Sequence, residues 1–420
     1  MTSSATGGPP LLRQINSARV LAALRGAGAM RLADLAERSG LSRPTVGHVV
    51  DQLHEAGLVA YAGPGDAGPG DGGRPRSGRP PRLVRFRSEA AYVVGIDIGP
   101  HKARVAVADL LGRVVAMRRR AIPAAHGNRD LLAALRAAAR DALAGAGVER
   151  GSVASVAAGT PGIVDPPRGT VTLAPGVPGW TIDLARELRR SFRCPVHVEN
   201  DANLAALAER RHGAARDART VVFILWGRRV GAGVLIGGHL HRGAANAAGE
   251  IGFLALDGAA TAEPDTRGRG PFERMVGADA IAEAGRLAAE RHGGALAGLL
   301  APPPGRLTAE AVFTAAARGD TAAAEAVRAI AARFARGLAP VLLVLDPDLV
   351  VIGAGISRAG SVLLDAIGGS LRPLTLVPPR LELSALGDEA VALGAVELAL
   401  ADAERRLLPS PGPVPAAPSL

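Results

Sequence analysis

Three acids and two glycine-rich segments are where this chain of 420 residues can do chemistry. In VENDAN (198–203), Asn200 and Asp201 stand between an apolar run that reads as a strand and an alanine-rich run that reads as a helix. A carboxylate placed there can take the proton of a hydroxyl and raise its nucleophilicity. The same residue types also suit a helix cap, because their side chains accept from the first free N–H groups. A cap explains one residue and not the whole segment. AGEIG (248–252) supplies Glu250, and Glu273 follows in PFERMVG (271–277). The glycine-rich segments are GIDIGPHK (95–102), with Asp97, Gly99 and Lys102, and GRRVGAG (227–233), with Gly227, Arg228, Arg229 and Gly231. Both follow strand-like runs, and glycine-rich turns at strand ends are where α/β folds hold ligands.

A second kind of chemistry is written at the N-terminus. Residues 1–90 carry 12 arginines against 7 acidic residues, half of the net charge of +10 in about a fifth of the chain. Lys102 is the single lysine, and arginine suits phosphate contacts. The Ala/Arg/Gly/Pro bias also fits GC-rich codon usage, so distribution says more than total charge. Residues 11–26 and 31–38 show helical apolar spacing, Ser39-Gly40-Leu41 makes a turn, and Ser42 with Pro44 opens a third helix. Two short helices joined by such a turn make a helix-turn-helix. Arg43, Thr45 and His48 then face the major groove from the start of the recognition helix. Gly47, in mid-helix, permits a close backbone approach to DNA or is neutral. Leu58–Ala60 and Arg82–Arg87 read as an antiparallel pair around a Gly/Pro/Arg-rich stretch. That stretch is a long wing or a linker, and Arg74 and Arg79 in its Gly-Arg-Pro steps suit a narrow minor groove.

The elements that position the acids begin at Tyr92. Strand-like runs with glycine-rich ends alternate with helical stretches, which implies an α/β layer fold. The apolar fraction of 48% supports a sizeable core, built from aliphatic residues because aromatics are only 3%. One cysteine, Cys194, excludes an internal disulfide framework and a multi-cysteine zinc cage. No secretory signal or charge-free membrane span is visible, so a cytoplasmic protein is expected. The expected organisation is a helix-turn-helix domain over 1–60, a wing or linker over 61–88, a two-lobed domain over 89–402 and a disordered Pro-rich tail over 403–420.

In this order, GIDIG (95–99), GTPGIVD (159–165), VENDAN, AGEIG, VVIGAG (350–355) and GDEAVALGAVELA (387–399) resemble the ROK family. That family comprises sugar kinases of the actin/hexokinase-like (RNase H-like) fold and sugar-responsive repressors with an N-terminal winged helix-turn-helix. The resemblance implies a two-lobed α/β sugar-binding domain preceded by such a DNA-binding domain. It implies that Asn200, Asp201, Glu250 and Glu273 bind sugar, and that Asp201 is the general base if the chain is a kinase. It also exposes departures. The family's GGT in the first phosphate loop is Gly99-Pro100-His101, and Pro100 removes a backbone N–H. Arg228 and Arg229 replace Thr and Gly in the second loop, where they spoil a nucleotide cradle or contact a phosphate directly. The family's sugar- and zinc-binding His is Phe253, and its zinc cysteines are missing. His239 and His241 lack partners for a tetrahedral site, so no zinc is expected.

The reading is therefore a sugar-responsive transcriptional regulator, a repressor by family precedent. Its partners are a double-stranded DNA operator and a sugar effector, without membrane contact, and it is a homodimer or homotetramer. No cofactor is expected. Mg-ATP enters only if the chain is instead a sugar kinase, and an architectural protein that lost its pocket is the third possibility.

Overall fold

The computed structural model describes residues 9–62, 83–99, 102–122, 128–175, 177, 179–256, 263–298 and 307–408. Helix α1 (Pro9–Arg25) leads through strand β1 (Met30–Arg31) to α2 (Leu32–Ser39). Gly40, at φ 67°, ends α2 in the left-handed region that favours glycine. Ser42 then caps α3 (Arg43–Glu55): its Oγ accepts from the Thr45 N–H at 3.3 Å, and Pro44 sits in the first turn. Val46, Val49, Val50 and Leu53 of α3 are buried, each contributing about 1.5–3 kcal/mol. The expected antiparallel pair forms as β2 (Val59–Ala62) and β3 (Leu83–Phe86), with β1 on the other side of β3. Arg74 and Arg79, between β2 and β3, lie outside the described residues.

Two lobes follow, and they share one topology. In the first, β4 (Tyr92–Ile98), β5 (Lys102–Asp109) and β6 (Val114–Ala121) form an antiparallel meander. After α4 (Asn128–Ala146) come β7 (Val153–Thr160), the small hairpin β8 (Ile163–Asp165) and β9 (Thr170–Leu173), α5 (Leu184–Arg189) and β10 (Val196–Asn200). β7 pairs parallel with β4 and β10 with β7, giving the order β10-β7-β4-β5-β6. Helix α6 (Asp201–His212) carries the chain into the second lobe. There β11 (Val221–Trp226), β12 (Val230–Ile236) and β13 (His239–His241) repeat the meander. Helices α7 (Pro271–Val276), α8 (Ala278–His292), α9 (Ala295–Gly298), α10 (Ala309–Ala317) and α11 (Thr321–Leu345) precede β14 (Leu349–Gly353), α12 (Ser361–Leu371) and β15 (Arg380–Leu383). The order β13-β12-β11-β14-β15 matches that of the first lobe. The inner strands are apolar on both faces because helices cover both sides.

Helix α13 (Ala390–Leu407) returns to the first lobe and packs on β4, β7 and α6. The approach is close enough to require glycine. A Cβ on Gly394 would overlap the Leu204 carbonyl of α6, and one on Gly95 of β4 would overlap the Ala392 carbonyl of α13. Helix α13 corrects one expectation, since it continues to Leu407 rather than giving way to a disordered tail at 403. Its last turns have partners. Glu404 pairs with Arg25 at the end of α1, and Arg406 with Asp402 at 3.1 Å. Arg25 also donates to the Leu110 carbonyl at 2.9 Å and lies over the Phe86 ring at 5.8 Å. Val20, Leu24 and Phe86 of the N-terminal domain share one apolar cluster with Leu110, Leu400 and Ala403. Among the described residues no helix is long and apolar enough to cross a membrane.

Gly394→Ala is expected to lower the unfolding free energy by about 1–3 kcal/mol or more, since the helices cannot separate without moving both lobes. Gly369→Ala, on the exposed side of α12 with open space around it, should raise it by about 0.5–1 kcal/mol. Denaturant midpoints of the two variants check the pair.

Candidate functional site

Two surfaces carry the predicted residues. On α3, Arg43 and His48 are exposed and Thr45 is half-buried. The Thr45 hydroxyl bonds to that of Ser42 at 2.8 Å. The His48 ring meets the Gln52 amide at 3.0 Å, which places Gln52 beside the predicted trio. Helical spacing of four from His48 was the available signal. A Cβ on Gly47 would meet open space, so nothing in the fold requires that glycine.

The second surface is a cavity of about 310 Å³ between the lobes. Asp97 at the end of β4, Asn200 at the end of β10 and Asp201 at the start of α6 line it from the first lobe. The loop joining β11 and β12, with Gly227, Arg228 and Arg229, lines it from the second, together with Gly231 of β12, Glu250, Phe253 and Glu273. Gly99 and Lys102 border the first-lobe end, and the two residues between them lie outside the described residues.

Asn200 is both cap and lining. Its Oδ1 accepts from the N–H groups of Ala202 at 2.9 Å and Asn203 at 3.2 Å, and its Nδ2 donates to the Gly162 carbonyl at 3.1 Å. One amide hydrogen is left for a ligand. Beneath it, Glu199 is 2% exposed and accepts from the Asn200 N–H, the Asn203 amide and Arg242 Nε at 2.6 Å. Arg242 follows β13, so this pair ties the two lobes beside the cavity. Sequence reasoning missed it because the partners are 43 residues apart.

The acids differ in how they are compensated. Burial, then the nearby Asp97 charge, pushes the Asp201 carboxyl up to about 6. Burial pushes Asp97 up to about 6 as well, although Lys102 and Arg104 pull against it. Glu250 rises to about 7 through burial, then through Asp201 and Glu273. No cation among the described residues pairs with Glu250. A buried acid in this state is well placed to accept hydrogen bonds from ligand hydroxyls once ionised.

Glu273 is a brace more than an open acceptor. Its Oε1 accepts from the Val230 N–H at 2.9 Å, and its Oε2 from Gly270 N–H at 2.9 Å and Arg229 at 3.2 Å. Arg229 also donates to the carbonyls of Arg267, at 2.8 Å, and Gly268. The Arg229 guanidinium is thus engaged with the loop before α7. Within that loop Asp265 accepts from the N–H groups of Arg269 and Arg267 and from Arg269 Nε. The Arg269 backbone bond leads in holding Asp265 down to about 2. These contacts span the region where the resemblance places a structural zinc. Among the described residues no group of three or more His, Cys, Asp or Glu is arranged to hold a metal ion.

The indole of Trp180 is buried and donates to Thr160 Oγ1 at 2.7 Å, so it packs under the site. Two residues that sequence reasoning did not single out belong to the first-lobe end: Asp388 lines the cavity, and Arg104 lies buried behind it, against Asp97 and Asp388. Arg104 pairs across the strands with Asp97.

Glu250→Gln is expected to stabilise the ligand-free protein by about 1–3 kcal/mol at pH 8. The folded pKa lies above the ordinary 4.5, so ionisation costs stability progressively as pH rises from 4.5 to about 7, and the full cost persists above. At pH 4 the variant and the parent should melt alike, and a melting series across pH checks the sign. Arg229→Ala should raise amide exchange in residues 263–270 without lowering exchange protection in α13, as read by hydrogen–deuterium exchange.

The ROK family model matches residues 93–402, and a MarR family model matches residues 13–67. The chain is 26% identical over 406 residues to a putative xylose repressor of Caldicellulosiruptor sp. (strain Rt8B.4), covering 94% of this chain and 98% of that one. Among solved structures, a ROK family glucokinase from Streptomyces griseus in complex with glucose and AMPPNP superposes with a TM-score of 0.64 at 29% identity, over 74% of this chain and 99% of that one. A ROK family transcriptional regulator, homologous to the E. coli MLC protein, superposes with a TM-score of 0.73 at 22% identity over 95% of this chain and all of its own. That likeness shows that the N-terminal domain and the two lobes occur together in one known fold. With the family model matched over well beyond half of its length, the chain belongs to the ROK family.

Proposed function

We propose that this protein is a sugar-responsive DNA-binding repressor. The observation that carries the reading is mechanical. One helix, α13, runs from the cavity to the DNA-binding domain, with Val391 lining the cavity near one end and Glu404 holding Arg25 near the other. The xylose-repressor relative, which spans both domains, supports it. Asn200, Asp201 and Glu250 would accept and donate to sugar hydroxyls, with Glu273 keeping the second-lobe wall in place. Closure of the lobes on the sugar turns α13 against α6, and Arg25 passes the movement to α1 and α3. A pair of chains would present two α3 helices to an inverted repeat, with Arg43, Thr45 and His48 on base edges and Arg74 and Arg79 as minor-groove contacts. The sugar releases DNA only as far as it prefers the closed state. Such a protein works in the cytoplasm.

A duplex from its own upstream region, followed by fluorescence anisotropy with a panel of pentoses and hexoses, tests this. The wild type should bind at low salt, and one sugar should weaken binding at least about tenfold. Arg43→Ala and His48→Ala should each cost about 1–3 kcal/mol of DNA affinity. Asp201→Asn and Glu250→Gln should keep DNA affinity and lose the response to sugar. A hexose-dependent ATP turnover abolished by Asp201→Asn would instead establish the kinase reading.

A further inference from the structure

A sugar kinase of this fold needs a divalent cation beside the transferred phosphate. Besides Asp201, the carboxylates that line the first-lobe end of the cavity are Asp97 and Asp388. Neither is free of a protein cation. Lys102 Nζ lies 4.0 Å from Asp97 and 3.7 Å from Asp388, and Arg104 lies 3.8 Å from each. Each of the two cations thus lies against both acids.

The two cations differ in what they can give up. Lys102 is partly exposed on a flexible stem. Arg104 is 6% exposed, stands directly across from Asp97 on the neighbouring antiparallel strand, and points from the same sheet face. Its Nη1 is buried without a hydrogen-bond partner among the described residues. A guanidinium does not lose its proton in a protein, and an orphaned buried donor is costly unless its charge is needed. Asp97 and Asp388 supply that need. A magnesium ion would have to bind the same oxygens at about 2.0–2.1 Å, placing two positive charges against a fixed one.

We propose that Arg104 holds the metal's place: its guanidinium compensates Asp97 and Asp388, so a metal–nucleotide finds neither of these two carboxylates open to it and the cleft takes its sugar alone. The sugar then leaves the protein chemically unchanged. Arg104 thereby adds to the altered glycine loops in closing this end of the cleft to Mg-ATP. The inference goes beyond the regulator reading and does not depend on DNA binding, so either can fail without the other.

The test titrates Mn2+ into the full chain at pH 8, read by Mn2+ electron paramagnetic resonance and by thermal shift, and repeats it with Mg-AMPPNP. Arg104→Met keeps side-chain volume without charge, Arg104→Gln is a second neutral variant, and Arg104→Lys keeps the charge. The wild type and Arg104→Lys should show no saturable Mn2+ site. A neutral variant that is folded by circular dichroism should gain one, at least about tenfold tighter than any wild-type binding. Adding Asp97→Asn should remove it, and Mg-AMPPNP should stabilise the neutral variant more than the wild type. A saturable, Asp97-dependent Mn2+ site in the wild type would overturn the proposal, and that arm needs no variant. So would folded neutral variants that gain no site.

Discussion

The crossing of α6 and α13 is the constraint on which the rest of the molecule hangs. The two helices meet with no side chain between them at Gly394, backbone against the Leu204 carbonyl. That contact sets the spacing of the lobes, because α6 leads out of the first lobe and α13 returns to it. It also fixes what the helix ends carry. Asn200 and Asp201 open α6 at the cavity, Asp388 precedes α13 at the same cavity, and Glu404 near the end of α13 holds the DNA-binding domain. A packed crossing of this kind slides or rotates in discrete steps and does not deform smoothly.

Along the cavity, charge compensation changes from one end to the other. Among the described residues Glu250 has no cation paired with it and burial holds its pKa up to about 7, while Asp97 and Asp388 share two cations. The uncompensated end gains most from a ligand that donates hydrogen bonds, since such bonds stabilise the ionised carboxylate that burial disfavours. Leaving Glu250 in that state lowers the stability of the empty protein, the usual consequence of keeping a binding site ready. At the other end Lys102 and Arg104 offset part of the cost of burying Asp97. The two ends thus suit a neutral polyol at one side and nothing further charged at the other.

The wall before α7 illustrates a different solution to an old structural need. Backbone N–H groups around Asp265, the Arg269–Asp279 pair and the Arg229–Glu273 contact hold the loop that the resemblance would fasten with zinc. Each exposed contact is weak alone. Together they close a ring in which Glu273, buried among them, is bound by two backbone N–H groups and a guanidinium.

Much of this was legible in the residues. The order of the glycine-rich and acidic motifs, the alternation of strand-like and helical runs, and Gly40, Ser42 and Pro44 in the turn before α3 all act over a few neighbours, so local pattern determined the fold class, the helix-turn-helix and the acids of the cavity. Partner choice was not legible. Arg104 looked like one more strand residue until β4 and β5 paired and brought it against Asp97. Arg229 read as a spoiled phosphate loop until the chain placed Glu273 and the Gly268 carbonyl in its reach. Arg25 and Glu404 are 379 residues apart, and the apparent tail of α13 became a helix because that pairing and the apolar cluster around it exist only in the folded chain. Local spacing sets which conformation a segment prefers. Which charge neutralises which is decided by distances that only tertiary packing creates.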